Sequence, residues 1–327
     1  MNFIPHNCLL CEIKRLQKKG LHSSMEEKLV SAVIITHNRK ELVLKAIDSV
    51  MKQTYTNIEV IVVDDASDDG TKEILSKESE KIGFRYIYIP KEESKGGNHA
   101  RNVGIQAAVG EYIAFLDDDD EWLPEKTSLQ VDFLNKNVDC EMVHCGKLYE
   151  YNFSKIKKSD IEKIPEGNFR KKIFSRIAFT TSCLMVRKDF FKKVGLFDEQ
   201  LKFWQEYEFA IRACQLSDIG AVHRHLVLYR IIQKDKNRLT NKVVGWEEAV
   251  RYIEKKHEGL LKQLTSEQMK AHKIMVAKDG VLRAVNGGDR VSKRKYLKQI
   301  YKLEPTLKNF IKFVVNRERL APWRGER

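Results

Sequence analysis

The chain has 327 residues, 42% hydrophobic and 32% charged, with 6 Pro and 17 Gly; that composition belongs to a folded globular protein and excludes a disordered or fibrous one. No uncharged apolar run approaches the roughly 18 residues that span a bilayer, and no signal-peptide pattern opens the chain, so a cytoplasmic protein is expected. The net charge of +13 is uneven: residues 243–327 hold 20 Lys+Arg against 10 Asp+Glu, leaving the first 242 nearly neutral, which argues against nucleic acid as the partner of the whole chain and points the tail toward an anionic surface.

Residues 1–28 read as a polar extension. Leu9, Ile13 and Leu16 fall at i, i+4 and i+7 among Lys14, Arg15, Lys18 and Lys19, a pattern open to a surface helix or a loosely held leader. The six cysteines (Cys8, Cys11, Cys140, Cys145, Cys183, Cys214) are scattered and read as free thiols. Cys8 and Cys11 form a single CxxC without a second pair, a weak zinc signal.

From Val30 the pattern becomes regular. Val30–Ile35 is a β-branched strand followed by the polar turn Thr36-His37-Asn38-Arg39, and Glu41–Met51 has helical apolar spacing. A second buried strand, 58–63, meets Asp64-Asp65-Ala66-Ser67-Asp68-Asp69-Gly70-Thr71. A helix from Thr71 to Lys81, a strand at 84–89, and a helix at 100–108 after Gly96-Gly97-Asn98 lead to the apolar run Tyr112-Ile113-Ala114-Phe115-Leu116. Alternation of strand and helix with short links implies a right-handed parallel α/β sheet.

Four carboxylates, Asp117 to Asp120, follow that last strand directly. Adjacent carboxylates repel one another and favour a neutralising partner. On a flexible loop they would be a solvated acidic turn; at the carboxyl end of a buried strand, where open α/β sheets place ligands, a divalent cation shared with a phosphate is the more economical reading. Asp64-Asp65 ends the second strand in the same way, so both clusters are expected on one sheet edge. Gly96-Gly97-Asn98-His99-Ala100-Arg101-Asn102 lacks the G-x-G-x-x-G spacing and argues against a dehydrogenase.

Together these pieces resemble the family 2 glycosyltransferases, which use a GT-A fold and nucleotide-activated sugars. The matching segments are 30–39, 62–71, 100–104 and 110–120, then Thr181-Ser182-Cys183-Leu184-Met185-Val186-Arg187, Val194-Gly195-Leu196-Phe197-Asp198-Glu199 and Trp204-Gln205-Glu206-Tyr207-Glu208. The resemblance implies an α/β GT-A catalytic domain at 29–235, Rossmann-like and mostly parallel, with a basic helical region at 236–327. It implies that Thr36, His37, Asn38 and Arg39 line the nucleotide pocket, with His37 where many relatives carry an aromatic ring. Asp65 would bind the base, supported by Asp64, and Arg101 and Asn102 would brace the donor pocket. Asp117 and Asp119 match the family's DxD motif, implying Mn²⁺ or Mg²⁺ at Asp119 with Asp117 at the ribose or the metal. Asp118 joins the donor-binding set, and Asp120 has no assigned part. Glu206 occupies the position of the catalytic base, one methylene longer than the family's usual Asp, with Glu208 in reserve; the competing reading is that both only favour a helix N-terminus through its dipole. Trp204 is read either as an acceptor contact or as core, and Tyr229-Arg230 either as a diphosphate contact or as a buried structural pair.

The stretch 131–176 reads as charged and irregular, with 155–163 at the surface, and Leu226–Ile232 as a last strand. Beyond Val243 lie helical stripes ending in the basic, amphipathic Leu307-Phe310-Ile311-Phe313-Val314 with Lys308, Lys312, Arg317 and Arg319. That end suits peripheral docking at the inner face of a membrane, or packing on the catalytic domain with a solvated basic face. The expected function is inverting transfer of a hexosyl group from a nucleotide sugar, UDP-sugar favoured, to a saccharide or lipid-linked saccharide in bacterial surface polysaccharide synthesis. The alternatives are a metal-dependent nucleotidyltransferase, which lacks a Gly-rich basic triphosphate loop after the first strand, and a basic nucleic-acid-binding protein.

Overall fold

The computed structural model describes residues 27–232, 239 and 242–315; the expected pattern at 9–16, the Cys8–Cys11 pair, Arg317 and Arg319 lie outside them. β1 (Val30–Thr36) is flanked by β2 (Ile58–Asp65) and β4 (Tyr112–Asp117), and β3 (Arg85–Ile89) pairs with β2, all parallel. Their apolar residues alternate between the two sheet faces, as a period of two requires. Val33, Ile61, Val63, Ile113 and Phe115 join one core, while Ala32, Ile34, Val60, Val62, Ala114 and Leu116 join the other. Helices α1 (Lys40–Met51), α2 (Thr71–Ile82) and α3 (Gly97–Ala107) make the crossovers.

The register positions the acidic clusters. Thr36 pairs with Asp64 and Ile35 with Asp117, so both carboxylate-bearing turns leave the sheet beside the turn after β1. Gly104 lets α3 lie close to that edge, because a Cβ there would come within 2.3 Å of Val33 Cγ1.

The second half of the sheet departs from the parallel pattern. The full order is β3-β2-β1-β4, then β8 (Met185–Arg187), β6 (Met142–Tyr151), β9 (Ile219–Ile231) and β5 (Glu121–Trp122), with β7 (Lys155–Lys158) outside β6. β8 runs antiparallel between β4 and β6, while β6 and β9 are parallel. β5 closes on β9. The stretch expected to be irregular therefore contains part of α4 (Lys126–Lys136), a ten-residue strand and the exposed β7 (Lys155–Lys158). Only Met142–Gly146 of β6 is fully buried, and beyond it the strand is half-exposed, with register shifts on both sides of Gly146. The mixed burial hides the strand from a search for apolar runs. Residues 155–158 are at the surface as expected.

α5 (Phe190–Val194) and α6 (Gln205–Leu216) cover one face of the sheet. The C-terminal helices α7 (Trp246–Lys256), α8 (Glu258–Leu261), α9 (Ser266–Gly287) and α10 (Arg290–Leu303) continue the same core. Trp246 is fully buried between Trp204, 5.4 Å away between ring centroids, and Tyr296, 5.7 Å away. Gly280 makes room for Tyr296, since a Cβ there would stand 2.6 Å from the ring. Packing on the catalytic domain is thus the arrangement of α7 to α10; α11 (Leu307–Val315) ends the described chain. Among the described residues no helix is long and apolar enough to cross a membrane.

Candidate active site

A cleft of about 420 Å³ opens at the carboxyl edge of β1, β2 and β4. The turn after β1 forms one wall. Thr36 donates from its hydroxyl to Asp118 Oδ2 (2.8 Å), and Arg39 Nη1 donates to Asp118 Oδ1 (2.8 Å) and lies 3.3 Å from Asp119. Burial drives Asp118 upward, to about 6, despite the pull of Arg39. On Arg39, burial works downward but the charges of Asp118 and Asp119 outweigh it, so the guanidinium stays above its ordinary range. Asp118 therefore serves as the internal counter-ion that aims Arg39 at the cleft.

Asn38 has a positive φ of 55°, a left-handed conformation that Asn tolerates better than most residues. Its N–H donates to Ser67 Oγ (2.8 Å), and its Oδ1 accepts from the Asp68 N–H (2.7 Å). His37 donates from Nδ1 to the Asp65 carbonyl (2.6 Å). These bonds tie the first turn to the second, placing Asn38 as a clamp between loops rather than in the cleft lining. Asp64 is buried, accepting from Tyr86 Oη (2.9 Å) and Ser67 N–H (3.0 Å). Asp65 lines the cleft, and its Oδ1 is buried without a hydrogen-bond partner among the described residues. Such an acceptor costs free energy until a donor reaches it.

The third wall is the acidic turn. Arg101 on α3 donates to Asp117 Oδ1 (2.6 Å) and to Gln205 Oε1 (2.8 Å), linking the acidic edge to the start of α6. Asp117 and Asp119 both line the cleft. Asp120 is turned inward and fully buried, accepting from Ser182 Oγ (2.6 Å) and the Arg230 N–H (3.0 Å); burial, then the charges of Asp119 and Asp117, raises it well above the carboxylate range. Its part is to seat the turn. Ser182 also accepts from the Asp117 N–H (3.2 Å), which explains why the Thr181-Ser182 segment accompanies the acidic run.

Several expected positions fall elsewhere. Asn102 faces away from the cleft: its amide donates to the Phe197 carbonyl (2.9 Å) and Glu199 (2.9 Å), and its Oδ1 accepts from the Phe197 N–H (2.9 Å). It ties α3 to the 197–199 segment behind the cleft. The Arg230 guanidinium is taken by Glu150 (2.7 Å), Glu121 (2.5 Å) and the Asp119 carbonyl (3.4 Å), which is the buried structural alternative and not a contact of the cleft. Tyr229 does line it, with Lys147 Nζ 4.7 Å from its ring centre.

Glu206 and Glu208 separate. Glu206 is half-exposed, lines the cleft and bonds to no side chain among the described residues. Glu208 is fully buried against Arg212 (2.8 Å), Lys256 (2.8 Å) and His257 (3.1 Å). Burial alone would raise its pKa, but the hydrogen bonds from His257 and Arg212 hold it far below the usual range. A carboxylate so paired is a poor proton acceptor, and Glu208 sits outside the cleft; its part is to anchor α6 to α7. Trp204, with φ of 53°, turns the chain into α6. Its ring is core yet reaches the cleft wall, and its Nε1 donates to Asp279 Oδ2 (2.9 Å), which also accepts from Arg283 Nε (2.7 Å). Arg283 lines the cleft as well. It was not legible beforehand, since nothing local links a mid-helix arginine of α9 to an acidic turn more than 160 positions earlier.

As metal donors Asp117 and Asp119 form an open pair. Among the described residues no three His, Cys, Asp or Glu side chains converge as a closed cage. Two hard carboxylates with Arg101 and Arg39 beside them fit an Mg²⁺-like or Mn²⁺-like ion that completes its sphere with phosphate and water.

Comparison with known proteins gives one answer. The model of the family "Glycosyl transferase family 2" matches residues 31–195. The uncharacterized glycosyltransferase RP339 of Rickettsia prowazekii is 34% identical over 257 residues, 74% of each chain. WfaP of Escherichia coli, a UDP-Glc:alpha-D-GlcNAc-diphosphoundecaprenol beta-1,3-glucosyltransferase, is 41% identical over 107 residues, 33% of this chain and 41% of that protein. Residues 1–349 of TarS from S. aureus, in complex with UDP-GlcNAc, share the fold with a TM-score of 0.61 at 16% identity, over 89% of both chains. The mixed sheet with its acidic edge is thus a GT-A fold, and the chain is a glycosyltransferase of family 2.

Proposed function

We propose that the chain transfers a sugar with inversion from a nucleoside diphosphate, UDP favoured, to a hydroxyl of a saccharide or lipid-linked saccharide in bacterial surface polysaccharide synthesis. One observation carries the reading: Asp65 with its unpartnered oxygen, the Asp117–Asp119 pair and an unengaged Glu206 line the same cleft. Asp65 would accept an N–H from the base; uracil and guanine offer one beside a carbonyl, and cytosine does not. The complex of TarS with UDP-GlcNAc and the donor and acceptor in the WfaP name support uridine and a carrier-linked acceptor.

Asp117 and Asp119 would hold Mn²⁺ or Mg²⁺. Bound there, the ion supplies positive charge against the departing diphosphate. Arg39 and Arg101 keep the two carboxylates oriented, and Arg39 adds its own charge to the donor side of the cleft. Glu206 takes the proton from the acceptor hydroxyl, whose oxygen attacks the anomeric carbon as the bond to the nucleotide breaks. A single proton acceptor facing the leaving group corresponds to direct displacement. Tyr229 offers half-exposed aromatic surface to a sugar ring, and Trp204, buried in the wall, backs the same cleft.

A melting-temperature panel of UDP, GDP, dTDP and CDP with and without Mn²⁺ tests the donor half. UDP with Mn²⁺ is expected to raise the melting temperature by several degrees through its preferential binding to the native state, and Asp65→Ala to abolish the discrimination between UDP and CDP. Equal shifts with every nucleotide, or a shift indifferent to the cation, would contradict the reading.

A further inference from the structure

The final helix α11 has two unlike faces. On one side Asn309 is buried and donates to the Glu304 carbonyl (3.0 Å), and Phe313 lies parallel to Tyr301 of α10 with centroids 6.4 Å apart. That side is fastened to the molecule. On the other side Leu307 is 75% exposed, Ile311 45%, Val314 58% and Val315 41%, and Phe310, 44% exposed, stands at the border with its ring 5.5 Å from that of Tyr301. At i, i+3, i+4, i+7 and i+8 they form a continuous apolar row. Five of the 14 exposed large hydrophobics among the described residues thus fall within nine positions, a density unlike the scattered singles that ordinary surfaces carry.

Charge identifies the occupant. Leu307–Val315 contains no Asp or Glu, and Lys308 and Lys312, one turn apart, border the apolar row on one edge. Lys278 of α9 is close by: burial first, then the charges of Lys308 and Lys278, lowers the Lys312 pKa. An apolar strip edged by lysines matches the boundary between acyl chains and anionic headgroups, where the aliphatic stems of lysine can reach phosphate. A second copy paired antiparallel about a two-fold axis on this row would set Lys308 and Lys312 against their own equivalents. Nine residues are too few to span the hydrocarbon core, so the helix would lie in the plane.

We propose that α11 docks the protein on an anionic lipid bilayer, Leu307, Phe310, Ile311 and Val314 entering the acyl boundary and Lys308 and Lys312 meeting headgroup phosphates. The proposal is independent of the donor reading. Its test is co-sedimentation of the full chain with vesicles of phosphatidylglycerol and phosphatidylcholine, against phosphatidylcholine alone. The chain is expected to bind the anionic vesicles, less so as salt rises. Leu307→Asp with Val314→Asp should lower partitioning at least tenfold, and Lys308→Gln with Lys312→Gln by about tenfold. Both pairs should keep the melting temperature and the solution rate of UDP-sugar hydrolysis; the melting temperature reports folding even if no hydrolysis is seen. Three results would overturn it: no binding to anionic vesicles, equal binding by the double-aspartate variant, or a solution dimer that this variant converts to monomer.

Discussion

Glu206 and Glu208 lie two positions apart on α6 and meet opposite surroundings, and that difference assigns their work. Glu206→Gln removes the proposed proton acceptor without disturbing a bonded group, so transfer should fall by about 10²–10⁴-fold while the melting temperature stays unchanged. Glu208→Gln leaves Arg212, Lys256 and His257 facing a neutral amide; breaking a buried ion pair costs about 3–5 kcal/mol, read as a lower urea midpoint. Should Glu208→Gln abolish transfer at full stability, the assignment is reversed. His144 supplies a pH test away from the site. It is buried, donates to the Pro165 carbonyl (2.6 Å), and burial pushes its pKa down to about 4. The unfolded chain then binds the proton more readily than the native one. The stability is fully present above about 6.5 and is lost as pH falls toward 4, by on the order of 3 kcal/mol. The difference in urea stability between the wild type and His144→Gln should show this slope from pH 7 to 4.5; the difference is needed because Asp118 and Asp120, both raised by burial, titrate with the opposite sign in the same window.

At the scale of elements, α3 depends on the Gly104–Val33 contact to hold Arg101 against Asp117. Gly104→Ala forces a Cβ into Val33 and should cost about 1–3 kcal/mol, with a weaker response to Mn²⁺ because the acidic edge shifts with the helix. A variant with wild-type stability and metal response would contradict that coupling. The first four strands and their helices were legible in the sequence because each strand is a short apolar run stopped by a polar turn, and parallel order then puts Asp65 and Asp117 on one edge. The second half was less legible. β6 is buried for five residues, one of them His144, and half-wet for five, so it carries no unbroken apolar run. Lys126 is fully buried, bonded to Gln130 (2.8 Å) and 3.8 Å from the Trp122 ring centre, where a lysine would ordinarily be read as surface. Asn102 and Arg230 belong to the right motifs but spend their polar atoms on Phe197, Glu199, Glu121 and Glu150. Sequence resemblance locates such residues near a site without saying which way they point.

At the scale of the molecule, the C-terminal helices are part of the catalytic body. They lend it Trp246 as core, Arg283 as cleft wall, and Lys256 and His257 as partners of Glu208. Trp246→Ala should therefore cost about 3–5 kcal/mol and impair donor binding, since Trp204 loses its support; unchanged nucleotide binding in a destabilised variant would separate the two roles. Among the described residues of the tail, Arg283 and Lys293 are buried while Lys308 and Lys312 edge α11, so the positive charge does not form a single patch. The central claim is that one cleft joins an acidic diphosphate edge to a single proton acceptor. Its most direct test is UDP release from UDP-sugars, with acceptor and Mn²⁺, by the wild type, Asp119→Asn and Glu206→Gln. The account predicts Mn²⁺-dependent release by the wild type and a loss of at least 100-fold in each variant, with Glu206→Gln still binding UDP and Mn²⁺ normally. Full activity in either variant, or release by the wild type that ignores the cation, would contradict it.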